Sequence, residues 1–171
     1  MEKNNIVLIG MPGVGKSTIG VILAKVLGYK FIDTDLIIQE KEQKLLSELI
    51  AENGVEGFIE IENRINSKLE ADKSVIATGG SVVYGTDAMQ NLKNIGKVVY
   101  LKQDFENIQK RVKNIKGRGV VLKKNQTFEE LYNERSILYD KYADIVIEEG
   151  NLNVEETLKT VLDMLKKCKN S

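Results

Sequence analysis

The sequence has no histidine, a single cysteine and no excess of either charge. Without histidine, any general base must be a carboxylate, a lysine, a tyrosine or water, and imidazole-based metal sites are excluded. The lone Cys168 rules out an internal disulfide framework and suits a reducing compartment, so a cytoplasmic location is expected, with a free thiol at the surface. Lysine plus arginine total 25 and aspartate plus glutamate 25, so no global field draws the chain to nucleic acid or to a membrane surface. No apolar run approaches the ~20 residues of a membrane span, and no secretory hydrophobic segment is expected at the start. What is present is 171 residues, 42 % hydrophobic and 29 % charged. That is an ordinary globular composition with core enough for one domain, 1–171, expected to be a monomer.

The most informative stretch is residues 6–20, IVLIGMPGVGKSTIG. Aliphatic residues run into a glycine-rich turn, followed by Lys-Ser-Thr and a helical pattern. Gly10 stands four residues before Gly15-Lys16-Ser17, the spacing of a phosphate-binding loop. Gly13 and Gly15 permit backbone angles that a Cβ forbids, so the N–H groups around Gly13, Val14, Gly15 and Thr18 can converge on an anion. A helix starting near Lys16 adds its positive dipole end. Lys16 supplies a charge to the outer phosphates, and the Ser17 hydroxyl suits Mg²⁺. An ordinary strand-to-helix turn does not need Lys-Ser at this offset, and a dinucleotide fingerprint would space the glycines differently. A nucleoside triphosphate is the expected ligand.

Short β-rich runs begin at Asn5, Tyr29, Ser74, Lys97 and Asp144, and amphipathic patterns such as Lys16–Leu27 and Val55–Glu70 lie between them. This alternation predicts a parallel sheet with helices on both faces, an α/β fold whose ligands bind at the carboxyl ends of the strands. Thr127 with Glu130, and Asn153 with Glu156, have capping-box spacing and predict two helix starts.

Each strand end carries a candidate group. After the second come Asp33 and Asp35, which share a side if the extended geometry persists; one would serve a metal-bound water and the other an acceptor hydroxyl. A helix cap is the plainer role for an aspartate here. After the third come Gly79, Gly80 and Ser81, which allow a ligand close to the backbone. Residues 107–128 carry Lys110, Arg111, Lys113, Lys116, Arg118, Lys123 and Lys124 and no acid. This is either a solvated basic face or a lid over phosphates, roughly 112–126, with Gly117 and Gly119 beside Arg118. Nucleic acid is disfavoured because no aromatics interleave the charges. On the helix from Thr127, Arg135 falls on the apolar stripe of Phe128, Leu131, Leu138 and Tyr142. Either it reaches outward, or that face borders a polar cavity holding an anion, and the cavity is the expectation.

The phosphate loop, the Asp33-Thr34-Asp35 run, Gly79-Gly80-Ser81, the Arg118 segment and Arg135 to Tyr139 occur in this order, and the chain resembles shikimate kinase over nearly its whole length. The resemblance implies a three-layer α/β/α phosphate-loop kinase with a five-stranded parallel sheet and a mobile lid. It implies transfer of the ATP γ-phosphate to the 3-hydroxyl of shikimate, in aromatic amino acid biosynthesis. By motif, Ser17 and Asp33 would hold Mg²⁺, and Asp35 would bind and polarise the hydroxyl. Gly79, Gly80 and Ser81 would line the substrate, and Arg135 would grip its carboxylate. Lys16 and Arg118 would neutralise transferring charge, and Arg111 would lie near adenine. The partners implied are small molecules.

The chain departs from the family at four places. The arginine that shares the substrate carboxylate is Ile59, within Phe58-Ile59-Glu60-Ile61-Glu62. Gly54-Val55 replaces Gly-Glu, Ser81 replaces a third glycine, and Gly119 replaces the proline after the lid arginine. Three readings stay open: a working shikimate kinase in which Arg64, a lysine or backbone helps Arg135; a kinase for another small hydroxylated compound; and a non-catalytic nucleotide-binding protein.

Overall fold

The structure is a computed structural model that describes residues 3–112 and 120–169. Strands β1 (Asn5–Ile9), β2 (Lys30–Asp33), β3 (Ser74–Ala77), β4 (Gly96–Lys102) and β5 (Ile145–Glu148) form one sheet in the order β2-β3-β1-β4-β5. Every pairing is parallel, with Ile6 opposite Val75 on one side of β1 and Lys97 on the other. The central strands β1 and β3 are buried at every residue, as expected where helices cover both faces. The edge strand β5 alternates buried and exposed instead.

The helices are α1 (Lys16–Leu27), α2 (Thr34–Glu42), α3 (Leu46–Asn66), α4 (Thr86–Ile95), α5 (Phe105–Arg111), α6 (Phe128–Tyr142) and α7 (Val154–Lys169), with a 3-10 turn at Val82–Tyr84. Helix α1 packs against α7, and α3 against α4, leaving the sheet between two helical layers. The main core is built from β1, β3 and β4, with Leu23 of α1, Leu92 of α4 and Val161 of α7. A second cluster, Ile38, Leu49, Phe58, Ile65 and Val121, joins α2 and α3 to the segment after residue 119.

Three sequence expectations need correction. The amphipathic pattern from Val55 is the second limb of α3; an earlier limb from Leu46 precedes it, and the two meet at a kink at Gly54 (φ 70°, ψ −177°). The helix also stops at Asn66 rather than Glu70, because the Asn91 side chain on α4 donates to the Asn66 and Leu69 carbonyls at 2.9 Å each. Cys168 is free but only partly exposed, packed against the main core rather than lying on the surface. Both capping boxes form, with Thr127 Oγ1 accepting from the Glu130 N–H at 3.1 Å and Asn153 Oδ1 from the Glu156 N–H at 2.9 Å.

The connection leaving β1 runs toward β2, and the one leaving β3 crosses to β4. Crossovers from the adjacent strands β1 and β3 therefore run in opposite directions, and such a switch point leaves a crevice at the carboxyl ends where open α/β sheets bind ligands.

Candidate active site

A cavity of about 450 Å³ occupies that crevice. The loop after β1, Asp35, the loop after β3 and Arg135 all line it. Four segments far apart in sequence converge because each follows a strand or lies on the helix that covers the strand ends.

Gly13 and Gly15 have φ of 81° and 101°, left-handed values that the glycines make accessible. Helices α2, α5 and α6 begin with the capping side chains of Asp33, Asp104 and Thr127, whereas α1 begins at Gly15 with no side-chain cap and no acid in its first turn. Its first N–H groups are thus left for an anion. The Val14 side chain is buried and its N–H donates to the Met11 carbonyl at 3.2 Å, so Val14 shapes the loop from within. Lys16 is only 8 % exposed, and its Nζ donates to the Gly10 and Met11 carbonyls at 2.7 and 2.9 Å. Burial pushes its ammonium down to about 8, against the attraction of Asp35. Ser17 and Thr18 are exposed at the loop's mouth.

Asp33 ends β2 and caps α2, its Oδ1 accepting from the Asp35 N–H at 3.0 Å. The extended geometry therefore does not persist, and Asp35 reaches the cavity from the first turn of a helix. Burial first, and Asp33 second, push the Asp35 carboxyl up to about 6, with Lys16 opposing. Ser17 Oγ donates to Asp33 Oδ2 at 3.4 Å. This oxygen pair suits Mg²⁺, which takes few protein ligands and completes its shell with water and phosphate. Among the described residues no cluster of three acids or cysteines offers a fuller metal cage.

Gly79 and Gly80 act as a ruler for the opposite wall. A Cβ on Gly79 would lie 2.7 Å from Glu62 Oε2 and 2.8 Å from Asp35 Oδ1, and one on Gly80 would lie 2.8 Å from Arg135 Nη1. Two acids and a guanidinium thus abut two consecutive residues of backbone. Arg135 is 1 % exposed and lines the cavity, as the interrupted apolar stripe of α6 predicted. Its Nη2 donates to the Val121 carbonyl at 3.0 Å, while among the described residues Nε has no hydrogen-bond partner. Tyr139, one turn later, donates to the Gly80 carbonyl at 2.6 Å and fixes that loop.

Other expected residues lie elsewhere. Arg64 does not assist Arg135; it is exposed and paired with Glu42 at 2.6 Å. Ile59 is partly buried against the second cluster and does not line the cavity. Arg111 is exposed at the end of α5, where its charge acts on Glu149, a buried group that burial pushes up to about 7. Arg118, Lys113, Lys116, Gly117 and Gly119 lie outside the described residues, as does the middle of the expected lid, whereas Val120 and Val121 line the cavity.

Two contributors, Glu62 and Tyr139, entered the sequence reading only as members of the Phe58–Glu62 and Arg135–Tyr139 runs. Ser81 turns its hydroxyl to Glu62 Oε1 at 2.6 Å, and Glu62, 1 % exposed, lines the same wall. The spacing of Glu62 four residues after the buried Phe58 puts both on one helix face. Tyr139 is likewise one turn beyond Arg135 on α6.

Among the described residues, no helix is long and apolar enough to cross a membrane. A family model described as shikimate kinase matches residues 12–166. A shikimate kinase of Clostridium botulinum (strain Okra / Type B1) is 42 % identical over 169 residues, covering 96 % of this chain and 98 % of that protein. The structure of shikimate kinase from Acinetobacter baumannii in complex with shikimate superposes with a TM-score of 0.88 at 29 % identity, covering 98 % of this chain and 95 % of the other. That of the Aquifex aeolicus enzyme gives 0.77 at 27 % identity, covering 98 % of this chain and 99 % of the other. With the phosphate loop, the paired aspartates and the buried arginine gathered at the carboxyl ends of the strands, and with matches that span nearly the whole chain, this protein belongs to the shikimate kinase family.

Proposed function

We propose that this chain transfers the γ-phosphate of ATP to the 3-hydroxyl of shikimate, giving shikimate 3-phosphate. The observation that carries the reading is the buried Arg135 in the same cavity as Lys16 and Asp35. A guanidinium at one end suits the acceptor's carboxylate, and a carboxylate at the other suits its hydroxyl. The uncapped N-terminus of α1 supports triphosphate binding. The relatives' names and the shikimate bound to the Acinetobacter baumannii enzyme support the choice of acceptor.

Phosphoryl transfer asks little covalent work of a protein; positioning and charge stabilisation carry it. Asp35 would hold the accepting hydroxyl and draw its proton as the oxygen attacks in line. Lys16 would exchange its two loop carbonyls for phosphate oxygens, and its burial strengthens that interaction. Ser17 and Asp33 would hold Mg²⁺, which when bound neutralises phosphate charge. Gly79, Gly80 and Ser81 would present backbone to the ring. Arg111 would sit beside adenine and Arg118 over the transferring group, within a lid spanning roughly 112–126.

Ile59 favours a second reading, transfer to a different hydroxylated compound, because an aliphatic side chain stands where the family places an arginine. Coupled ADP-release assays with shikimate, quinate and neutral polyols separate the two. Turnover confined to shikimate is expected; turnover only with another acceptor would overturn the proposal.

A further inference from the structure

The cavity holds one carboxyl group that the transfer chemistry does not use. Glu62 is buried on α3; its Oε1 accepts from Ser81, while among the described residues Oε2 has no hydrogen-bond partner, and it lies against Gly79. The groups facing it are the Ser81 hydroxyl from the loop after β3, Asp35 from α2, Arg135 from α6 and Lys16 from α1. Among the described residues Glu62 forms no ion pair. Burial outweighs the hydroxyl and both cations, with Asp35 adding to it, and pushes the carboxyl up to about 7. On its own helix, the residue three positions earlier is Ile59, packed against the second hydrophobic cluster. Helix neighbours at that spacing can pair, so α3 offers Glu62 an aliphatic side chain where a cation would have stabilised its charge.

We propose that Glu62 sets the charge of the acceptor this cavity takes: an acid seated on Arg135 comes within reach of Glu62 across Gly79 and Gly80, and it binds with Glu62 carrying a proton on Oε2 that is taken up from solvent. The inference rests on the cavity being the acceptor site. Its sign is definite. Below a pH of about 7 Glu62 is neutral and an anionic acceptor meets only Arg135 and Lys16 as charges on that wall, apart from Asp35. Above it, the ionised Glu62 competes with the acceptor's carboxylate for Arg135, and affinity falls toward about tenfold per pH unit.

Calorimetric titration with shikimate tests this. Between pH 6.5 and 8.5 the Kd of the unaltered protein should rise roughly 25-fold, the ratio for one coupled proton with a free-state value near 7. At pH 7.5, buffers of different ionisation enthalpy should report uptake of about 0.75 proton more than in Glu62→Gln, whose amide oxygen still accepts from Ser81. Lys16 and Asp35 also hold their protons more firmly beside an anion, and they do so in Glu62→Gln as well, so the difference between the two proteins reports Glu62. Ile59→Arg supplies the missing cation and should likewise flatten the pH dependence. A flat Kd with no buffer-dependent heat in the unaltered protein would overturn this inference and leave the kinase reading intact. No binding heat at any pH would overturn the acceptor reading and this inference together.

Discussion

Replacing Arg135 by methionine removes the guanidinium and keeps much of the volume. The site is 1 % exposed; Arg135 donates to the Val121 carbonyl, and among the described residues its Nε has no hydrogen-bond partner. A hydrogen bond to a charged group contributes about 1.5–3 kcal/mol, so two to a carboxylate contribute about 3–6 kcal/mol. At 1.4 kcal/mol per factor of ten, the expected loss in kcat/KM for shikimate is roughly 10²- to 10⁴-fold. Because Ile59 stands where the family places an arginine, and Arg64, the arginine that α3 does carry, pairs with Glu42, no second guanidinium among the described residues shares the load. Folding should not suffer in proportion, since exchanging a buried charge for an apolar side chain is often neutral or stabilising. The assay is coupled ADP release over a range of shikimate concentrations, with ATP affinity and thermal unfolding measured in parallel. The loss should appear mainly in KM, with ATP affinity changed by less than about threefold. A KM within about threefold of the unaltered protein, with the fold intact, would refute the assignment of Arg135 to the carboxylate.

Lys16→Ala should lower kcat by roughly 10²- to 10³-fold with any acceptor, as for removal of one preorganised charge-stabilising donor; unchanged turnover in the ADP-release assay would remove Lys16 from the phosphate site. Asp35→Asn should lower transfer by about 10²- to 10⁴-fold while sparing ATP affinity; parallel loss of ATP binding would contradict its place beside the acceptor. Thr127→Ala breaks the capping box of α6 and should cost about 0.5–2 kcal/mol of stability in denaturant unfolding; no change would mean that packing alone starts that helix.

The sheet was legible because buried strands write themselves as aliphatic runs, and five such runs became five strands. The phosphate loop was legible because its chemistry is local, all its groups falling within a few residues. Arg135 was legible as a charge inside an apolar stripe. The kink of α3 was harder to read, since Gly54 sits in a stretch where either limb alone makes an acceptable helix. Asp33 and Asp35 kept their place but not their geometry, because the Asp33 side chain caps α2 and turns the chain one residue after the strand. Glu62 was illegible for a different reason. An acid on an amphipathic helix usually faces water, and only the packing of α3 against the loop after β3 turns this one inward.

In the proposed function this cavity joins a phosphate of ATP to a particular alcohol. Phosphorus NMR of the protein with magnesium, ATP and shikimate follows that bond directly. A new phosphomonoester resonance coupled to the proton on shikimate carbon 3 is expected, growing in step with ADP. ADP accompanied only by orthophosphate, or no change in the ATP signals at all, would contradict it.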